Sequence, residues 1–545
     1  YFVLLSAIFL LIGTYQLLQL YPPKVLFFPE NRPNYINVFL ELPVGTDIEE
    51  TNNFTKIIEN EVNEYTSDYS NIIESIVTYV GQRTLNENDP SALGMRDTPN
   101  RARININFFE FEKRNGVNTI DVLEKLRNDI NEYPGVSITY GKDRKGPPVG
   151  GEISIQVKGP DFQELISQVE NMRKYINESN IPGIEKLGLD LSTRKPELLI
   201  DFDRDRLRRY GLSTGMLANE LRTSLFGKEI SKYKIGEDEY KIQLRLADKY
   251  RYDINTLLNK NITFRNQSNG RTYQVPISSF ASMQMSNTFS SVKRKDLDKV
   301  ITISSNVISG YNPTEVNSKI DMVLKNYNLP NGYSYKFGGE QQEQEEEMAF
   351  LSNAFMIALF LVFIIIVAQF NKIITPLIIM SSIILSTIGV FLGLLIFNMD
   401  FVVVMTMIGV ISLIGIVVNN AIVLIDFIEL NRRRRMIRKK VNLSIEDVVE
   451  CITEAGRTRL RPVILTALTT ILGLMPLAIG MNFDFVSFFK FYEVNFYLGG
   501  DNMVFFGPIA WAIIFGLSFA TFLTLLVIPS MYLIQVKLNR YLGLT

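Results

Sequence analysis

The sequence predicts an α+β membrane protein. Six transmembrane helices carry a large extramembrane region of ferredoxin-like β-α-β units with an inserted subdomain. Three observations predict this. Long uncharged apolar runs occupy both ends of the 545 residues, and each meets the roughly 20 residues a helix needs to cross a bilayer. The stretch between them, 24–347, is polar and charge-rich. Within that stretch a strand, helix, strand pattern recurs.

The membrane helices are expected at 1–23, 348–371, 373–399, 401–429, 462–483 and 502–536, the fourth being free of charge as far as Ile425. Repeated uncharged runs of this length are rare in soluble domains. The first lacks the basic start and small-residue cleavage site of a signal peptide. Because Tyr1 already lies inside an apolar run, the chain is expected to be a piece of a longer one. Orientation follows from basic residues near the spans. The loop 430–461 carries ten Lys/Arg against four acids, which places it in the cytoplasm. Alternation then puts 24–347, the turn at Asp400 and the loop 484–501 on the other side. The acidic run EQQEQEEE (340–347) reads as a solvated helical extension of the second span.

Four β-α-β units are expected in the extramembrane region. The first pairs a strand at 35–42 with one at 73–80, through a helix opening at Thr46 with Glu49 as its capping-box partner. The second runs from 101 to 141. The third starts at Glu152 and has its helix at 162–176, and the fourth starts at Lys299 with its helix at 313–327. The turns YPGV, IPGI and LPNG share helix-stopping chemistry. Four such units make two split β-α-β sandwiches, and 197–286 reads as an inserted subdomain. GKDRKGPPVGG (141–151) reads as a linker, since no phosphate-binding Gly-x4-Gly-Lys-Ser/Thr is present.

Composition narrows the function. Net charge is −1, so no global basic field suggests nucleic acid. The chain has no histidine, the commonest general base and metal ligand, and its one cysteine, Cys451, allows no internal disulfide. Met283 and Met285 are read as packing residues, and the aromatic-rich stretches 79–80 and 108–111 suit either a pocket lining or core packing. No reaction centre stands out, so an enzyme is not expected.

The polar residues of GIVVNNAIVLIDF (415–427) demand an explanation, because amides inside a membrane are costly unless they find partners. Ser412, Asn419 and Asp426 are seven apart, which returns each to nearly the same helix face. Asn420 is rotated by about 100°. Gly409 and Gly415 permit close helix approach. Two readings stand: amides joining helices, or amides lining an ion path. Asp426 can titrate, but near the interface it can also pair with Arg432–Arg435. In the fifth span Thr466, Thr469 and Thr470 read as bonded to their own helix. Ser444 and Asp447 open an amphipathic helix on the inner membrane face, followed by Arg459, Arg461 and then Pro462 as a first helical residue.

These motifs carry a resemblance. GIVVNNAIVLIDF (415–427) followed by EAGRTRLRPVILTALTTILGLMPLAIG (454–480) closely resembles the tenth and eleventh spans of resistance-nodulation-division (RND) efflux transporters of the multidrug or hydrophobe type. The order of one span, a large outer region and five spans fits the C-terminal half of such pumps. The resemblance implies a truncated seventh span (1–23), a first porter subdomain (24–149), a second (150–195 with 288–339), a docking subdomain (196–287) and a membrane domain (340–545). It implies a homotrimer in the Gram-negative inner membrane, with 24–347 periplasmic and with the N-terminal half of the same chain, a periplasmic adaptor and an outer-membrane channel as partners. Transport of amphiphilic small molecules by proton antiport is implied, with no cofactor beyond the proton gradient. In many multidrug members a lysine of the tenth span faces two aspartates of the other half. Here Asn419 holds that position, and Asn420 matches a neighbouring asparagine. Thr466 matches a relay threonine, Arg459 a cytoplasmic-side arginine, and Asp426 joins them as a relay-associated acid. Alternatives are heavy-metal efflux and a protein-translocation accessory of the same superfamily.

Overall fold

The computed structural model describes residues 1–29, 32–85, 98–114, 116–131, 133–142, 150–191, 195–265, 270–288, 292–308, 310–439, 443–492 and 494–541. The expected linker at 141–151 falls largely outside them. Two compact units result: Tyr1–Asp190 with Lys293–Thr545, and Leu191–Val292.

Among its described residues the first unit contains six helices long and apolar enough to cross a membrane: Phe2–Leu20, Gly339–Phe370, Ile374–Ile396, Val403–Lys439, Ile445–Ile479 and Asp501–Tyr541. The mixed helix-and-sheet class therefore stands. Boundaries differ where polar residues continue a helix beyond the apolar run. The second helix begins at Gly339, so the acidic run forms its first turns, with Gln341 and Gln342 donating to Glu345 and Glu346 one turn on. The fourth continues through the arginine block to Lys439.

The fifth corrects an expectation. Ser444 and Asp447 do form the capping box, but no separate interfacial helix follows. One helix runs unbroken from Ile445 to Ile479 with Pro462 inside it. A proline removes one backbone bond, whereas a break there would leave two helix ends of unpaired groups beside the bilayer. Capping also differs at the first sandwich. The N-cap is Asp47, without a side-chain cap bond, because the Thr46 hydroxyl donates to Pro43 O at 2.7 Å. Glu49 and Glu50 still sit in the first turn, where the helix dipole favours them.

The third, fourth and sixth membrane helices form the inner group, and small residues bring them together. A Cβ on Gly389 would lie 2.6 Å from Phe515 O, and one on Gly393 2.3 Å from the Phe515 ring. Gly409 meets Ala512, and Gly516 meets Leu413. Close backbone approach of this kind is how membrane helices associate without a hydrophobic driving force. The first, second and fifth helices are largely exposed in this chain.

Two α/β sandwiches complete this unit. The first sheet runs in the order Ile73–Gly81, Thr98–Phe108, Tyr35–Glu41, Ser137–Lys142, all neighbours antiparallel. Alternation along Tyr35–Glu41 turns Ile36, Val38 and Leu40 toward helices Ile48–Tyr65 and Thr119–Asp129, where they are fully buried with Ile58, Val62 and Leu126. On the other face Asn105 donates to its cross-strand partner Asn37 at 2.7 Å. Phe108 belongs to the apolar core, and Tyr79 lies under Arg103. The second sheet has the order Lys293–Lys295, Asp298–Ser305, Ile153–Gly159, Ser334–Phe337, backed by helices Phe162–Glu178 and Pro313–Leu324. The strand expected after Ile184 shrinks to Gly188–Leu189. Arg127 and Glu185 join the two sandwiches at 3.1 Å.

Among the contacts that tie the sandwiches to the membrane helices are a strand pair and a side-chain bond. Val25–Leu26 pairs in parallel with Phe401–Val402, the turn between the third and fourth membrane helices. Asn34 donates to Asp501, the first residue of the sixth, at 3.1 Å. Buried Arg114 organises the same region. It donates to Phe109 O (2.5 Å), Pro33 O (3.3 Å) and Asn34 Oδ1 (2.6 Å).

The second unit, Leu191–Val292, has its own core of Leu207, Leu217, Leu221, Phe264, Ile277 and Phe280. Its two ends meet as the antiparallel strands Lys195–Phe202 and Ala281–Thr288. Lys228–Ile235 and Asp238–Leu244 form a hairpin exposed along its whole length. Met283 packs against the core while Met285 is exposed, so the two do not converge on one site.

Truncating Arg114 to methionine is expected to destabilise the protein by about 3 kcal/mol, since at least one buried acceptor loses its donor. Thermal unfolding of the purified chain in detergent measures this. An unchanged melting temperature would show that Arg114 is not what holds Pro33 and Asn34.

Candidate functional site

The candidate site lies on the fourth membrane helix, and packing decides which way its polar face points. Ile414, Val417, Val418, Ala421, Leu424, Ile425 and Ile428 are buried against the other helices. The opposite side carries Ser412, Gly415, Asn419 and Asp426, all exposed in this chain. The heptad stripe is therefore one face, as its spacing predicts, but it faces outward from this chain's own helix group.

That face opens into a cleft of about 530 Å3 between the second, fourth and fifth membrane helices. Val362 and Ile366 form one wall, Asn419 and Asn420 the floor, and Thr466 and Thr470 the other wall. Gly415 lines it too, with nothing within 4 Å of a Cβ placed there. The expectation that Gly415 admits a neighbouring helix is thus not met within this chain. Gly409 alone does so, because it sits on the buried side.

The two asparagines differ sharply. Asn420 is buried and lies 3.3 Å from the Thr466 hydroxyl. That hydroxyl also donates to Val463 O at 2.9 Å. A hydroxyl has one proton, so both bonds are satisfied together when the Asn420 amide turns its N–H toward Thr466. Asn420 therefore joins the fourth and fifth helices. Asn419 is exposed in the cleft, and its side chain has no hydrogen-bond partner among the described residues. Thr469 and Thr470 donate to carbonyls of their own helix, as expected.

Asp426 lies two turns along the same face, roughly 10 Å from Asn419 by helix rise. Among the described residues, the ion pairs of Asp426 with Arg432–Arg435 do not form. Arg432 donates to Tyr532 at 2.7 Å, Arg433 lies 4.0 Å from Glu429, and Arg435 pairs with Glu450 at 2.6 Å. Arg432 turns toward Tyr532 on the sixth helix and Arg435 toward the start of the fifth, whereas Arg433, seven residues beyond Asp426, stays exposed on the side of the stripe and lies nearest Glu429. Arg459 stacks over the Phe427 ring at 4.5 Å, and its buried Nε has no acceptor. The site thus collects Asn419, Asn420 and Thr466 at one level, with Asp426 and Arg459 nearer the basic end.

Sequence reasoning missed Glu429. It is largely buried and accepts from Lys372 at 2.7 Å, locking the turn between the second and third helices to the fourth. Its position three residues beyond Asp426, still in helical register, was the available signal. No group of three or more His, Cys, Asp or Glu that could hold a metal occurs among the described residues.

The profile of the AcrB/AcrD/AcrF family matches residues 1–483. The chain belongs to this family of RND permeases. It is a multi-pass membrane protein. Multidrug resistance protein MdtC of Erwinia tasmaniensis is 26% identical over 430 residues, 78% of this chain and 38% of the relative. Cobalt-zinc-cadmium resistance protein CzcA of Cupriavidus metallidurans is 26% identical over 422 residues, 76% of this chain and 36% of the relative. The crystal structure of a heavy metal efflux pump superposes with a TM-score of 0.73 at 20% identity, covering 98% of this chain and 50% of that one. The chain thus spans under two fifths of these curated relatives and half of the solved structure, and the likeness in structure is one of fold.

The geometry separates the two amides experimentally. Asn420→Ala is expected to lower stability by about 1 kcal/mol through loss of the interhelical bond. Asn419→Ala, which removes no side-chain hydrogen bond to the described residues, is expected to leave the melting temperature unchanged. Paired thermal melts of the two variants in one detergent give the comparison. Equal losses would show that Asn419 has a structural partner.

Proposed function

We propose that this chain is the C-terminal half of an inner-membrane RND permease that exports amphiphilic small molecules by proton antiport. Residues 24–347 are then periplasmic, with 24–149 and 150–195 plus 288–339 as porter subdomains and 196–287 as the docking subdomain. The functional unit is a homotrimer completed by the N-terminal half, a periplasmic adaptor and an outer-membrane channel.

The observation that carries this reading is the open, polar-floored cleft. An unpaired amide and an unpaired carboxylate on one face of a membrane helix are costly against lipid and mark a hydrated path or a partner helix. The missing half supplies that partner. Carboxylates there change protonation during transport, and Asn419 faces them. An asparagine can donate to a carboxylate and accept from a carboxylic acid. It therefore suits either state without the compensating positive charge a lysine supplies. Thr466 and Asn420 hold the wall of the path, and Asp426 with Arg459 lies toward its cytoplasmic mouth.

The cargo reading is supported by likeness to MdtC, whose name states multidrug resistance. CzcA matches at the same identity, and its name states cobalt, zinc and cadmium resistance. A strain lacking the complete transporter separates the two. Hypersensitivity to detergents, dyes and antibiotics with unchanged zinc and cobalt tolerance is expected, and the converse result overturns the amphiphile reading.

Coupling is tested in proteoliposomes carrying the full-length pump and an imposed pH gradient. Addition of a substrate dye is expected to accelerate dissipation of the gradient, and Asn419→Ala is expected to slow that dissipation several-fold while dye binding persists. A variant that moves protons at the normal rate would remove Asn419 from the relay.

A further inference from the structure

The segment joining the fifth and sixth membrane helices is built as a folded insert. Residues 481–500 contain eight aromatics: Phe483, Phe485, Phe488, Phe489, Phe491, Tyr492, Phe496 and Tyr497. Strands Met481–Phe483 and Phe496–Leu498 pair antiparallel, and a seven-residue helix, Phe485–Phe491, caps them.

Its base is stapled. Gly499 N–H donates to Gly480 O at 2.9 Å, and the Asn482 amide donates to Gly480 O at 2.9 Å and Gly499 O at 2.7 Å. Gly480 and Gly499 both have φ near or above +66° and come within van der Waals contact, an arrangement a Cβ would obstruct. One side of the hairpin is covered, since Tyr497 lies 6.3 Å from Phe111 of the first sandwich and Gly499 approaches the same ring. The tip is not. Phe489 is 72% exposed and Tyr492 87%, with Phe485, Phe491 and Phe496 all more than half exposed. Ring contacts run in a chain from Phe485 through Phe483 and Phe488 to Phe489, which makes this part of the patch continuous.

We propose that this insert is an interfacial anchor whose partner is the phospholipid layer at the face of the membrane opposite the basic loop. Three observations select lipid. First, the insert is rooted in the ends of two membrane-crossing helices, so its level is fixed by covalent connection. Second, its reach is short. Strands of three residues at about 3.3 Å each extend roughly 10 Å, which keeps the tip within or just beyond the headgroup layer. Third, its chemistry suits that layer. Aromatic side chains concentrate at membrane interfaces, where a ring sits among acyl carbonyls and a tyrosine hydroxyl reaches water. The anchor holds the ends of the fifth and sixth helices at fixed depth, and through Phe111 and Asn34 it seats the first sandwich on the membrane surface. It depends on the membrane topology alone and not on the cargo or the coupling ion.

Spin labels at Phe489→Cys and Tyr492→Cys test this in the full-length pump, in nanodiscs of phosphatidylethanolamine and phosphatidylglycerol, with Lys174→Cys on the sandwich helix as the aqueous reference. Collision rates with oxygen and with a water-soluble nickel chelate are compared. The proposal expects an oxygen-to-nickel ratio at both tip sites several-fold above that at Lys174. A ratio equal to the reference places the tip in water and overturns the anchor. Low collision rates with both agents show a protein surface covering the tip, from the other half of the pump or a second copy, and overturn the lipid assignment equally.

Discussion

The packing of the sixth membrane helix against the third and fourth governs the rest of the structure. Gly389 and Gly393 admit Phe515 and Phe519, while Gly409 and Gly516 bring the fourth helix against the sixth. These contacts leave no freedom for the fourth helix to rotate about its axis. Its apolar side must lie against the sixth, so the side bearing Ser412, Asn419 and Asp426 has to face away. The cleft is thus a consequence of close packing elsewhere. A Cβ at Gly409, on the fourth helix itself, would lie 2.8 Å from Ala512 Cβ and 3.1 Å from Ile509 O on the sixth.

Polar groups within the membrane helices divide according to whether this chain satisfies them. Glu429 with Lys372, Arg432 with Tyr532 and Asn420 with Thr466 are paired at or below 3.3 Å. They fix turns and helix contacts. Asn419 and Asp426 share one face and find no partner among the described residues. In a low-dielectric medium a polar face left without partners has large energetic weight.

The membrane helices and the sandwiches are mechanically continuous. Val25–Leu26 is held to Phe401–Val402, immediately before the fourth membrane helix begins at Val403. Asn34, held by Arg114, reaches Asp501 at the start of the sixth helix. A displacement of the fourth or sixth helix therefore has a short hydrogen-bonded route into the first sheet. Both links use backbone or short side chains, which transmit displacement with little slack.

Much of this architecture was legible in the amino-acid order. Bilayer length and the absence of charge specify six crossing helices, period-two alternation specifies strands such as Tyr35–Glu41, and the seven-residue spacing specifies that Ser412, Asn419 and Asp426 share a face. These are local properties, set by helix pitch, strand pleat and solvent. Helix ends were less legible: Pro462 looked like a start, yet the helix runs through it, because pairing every backbone group at the bilayer edge outweighs one missing N–H. The roles within the site needed tertiary structure. Nothing local distinguishes Asn419 from Asn420, Gly409 from Gly415, or an Asp426 paired with arginines from one left alone. Those differences depend on which neighbouring helix lies within 3 to 4 Å, and side-chain packing between distant segments decides that.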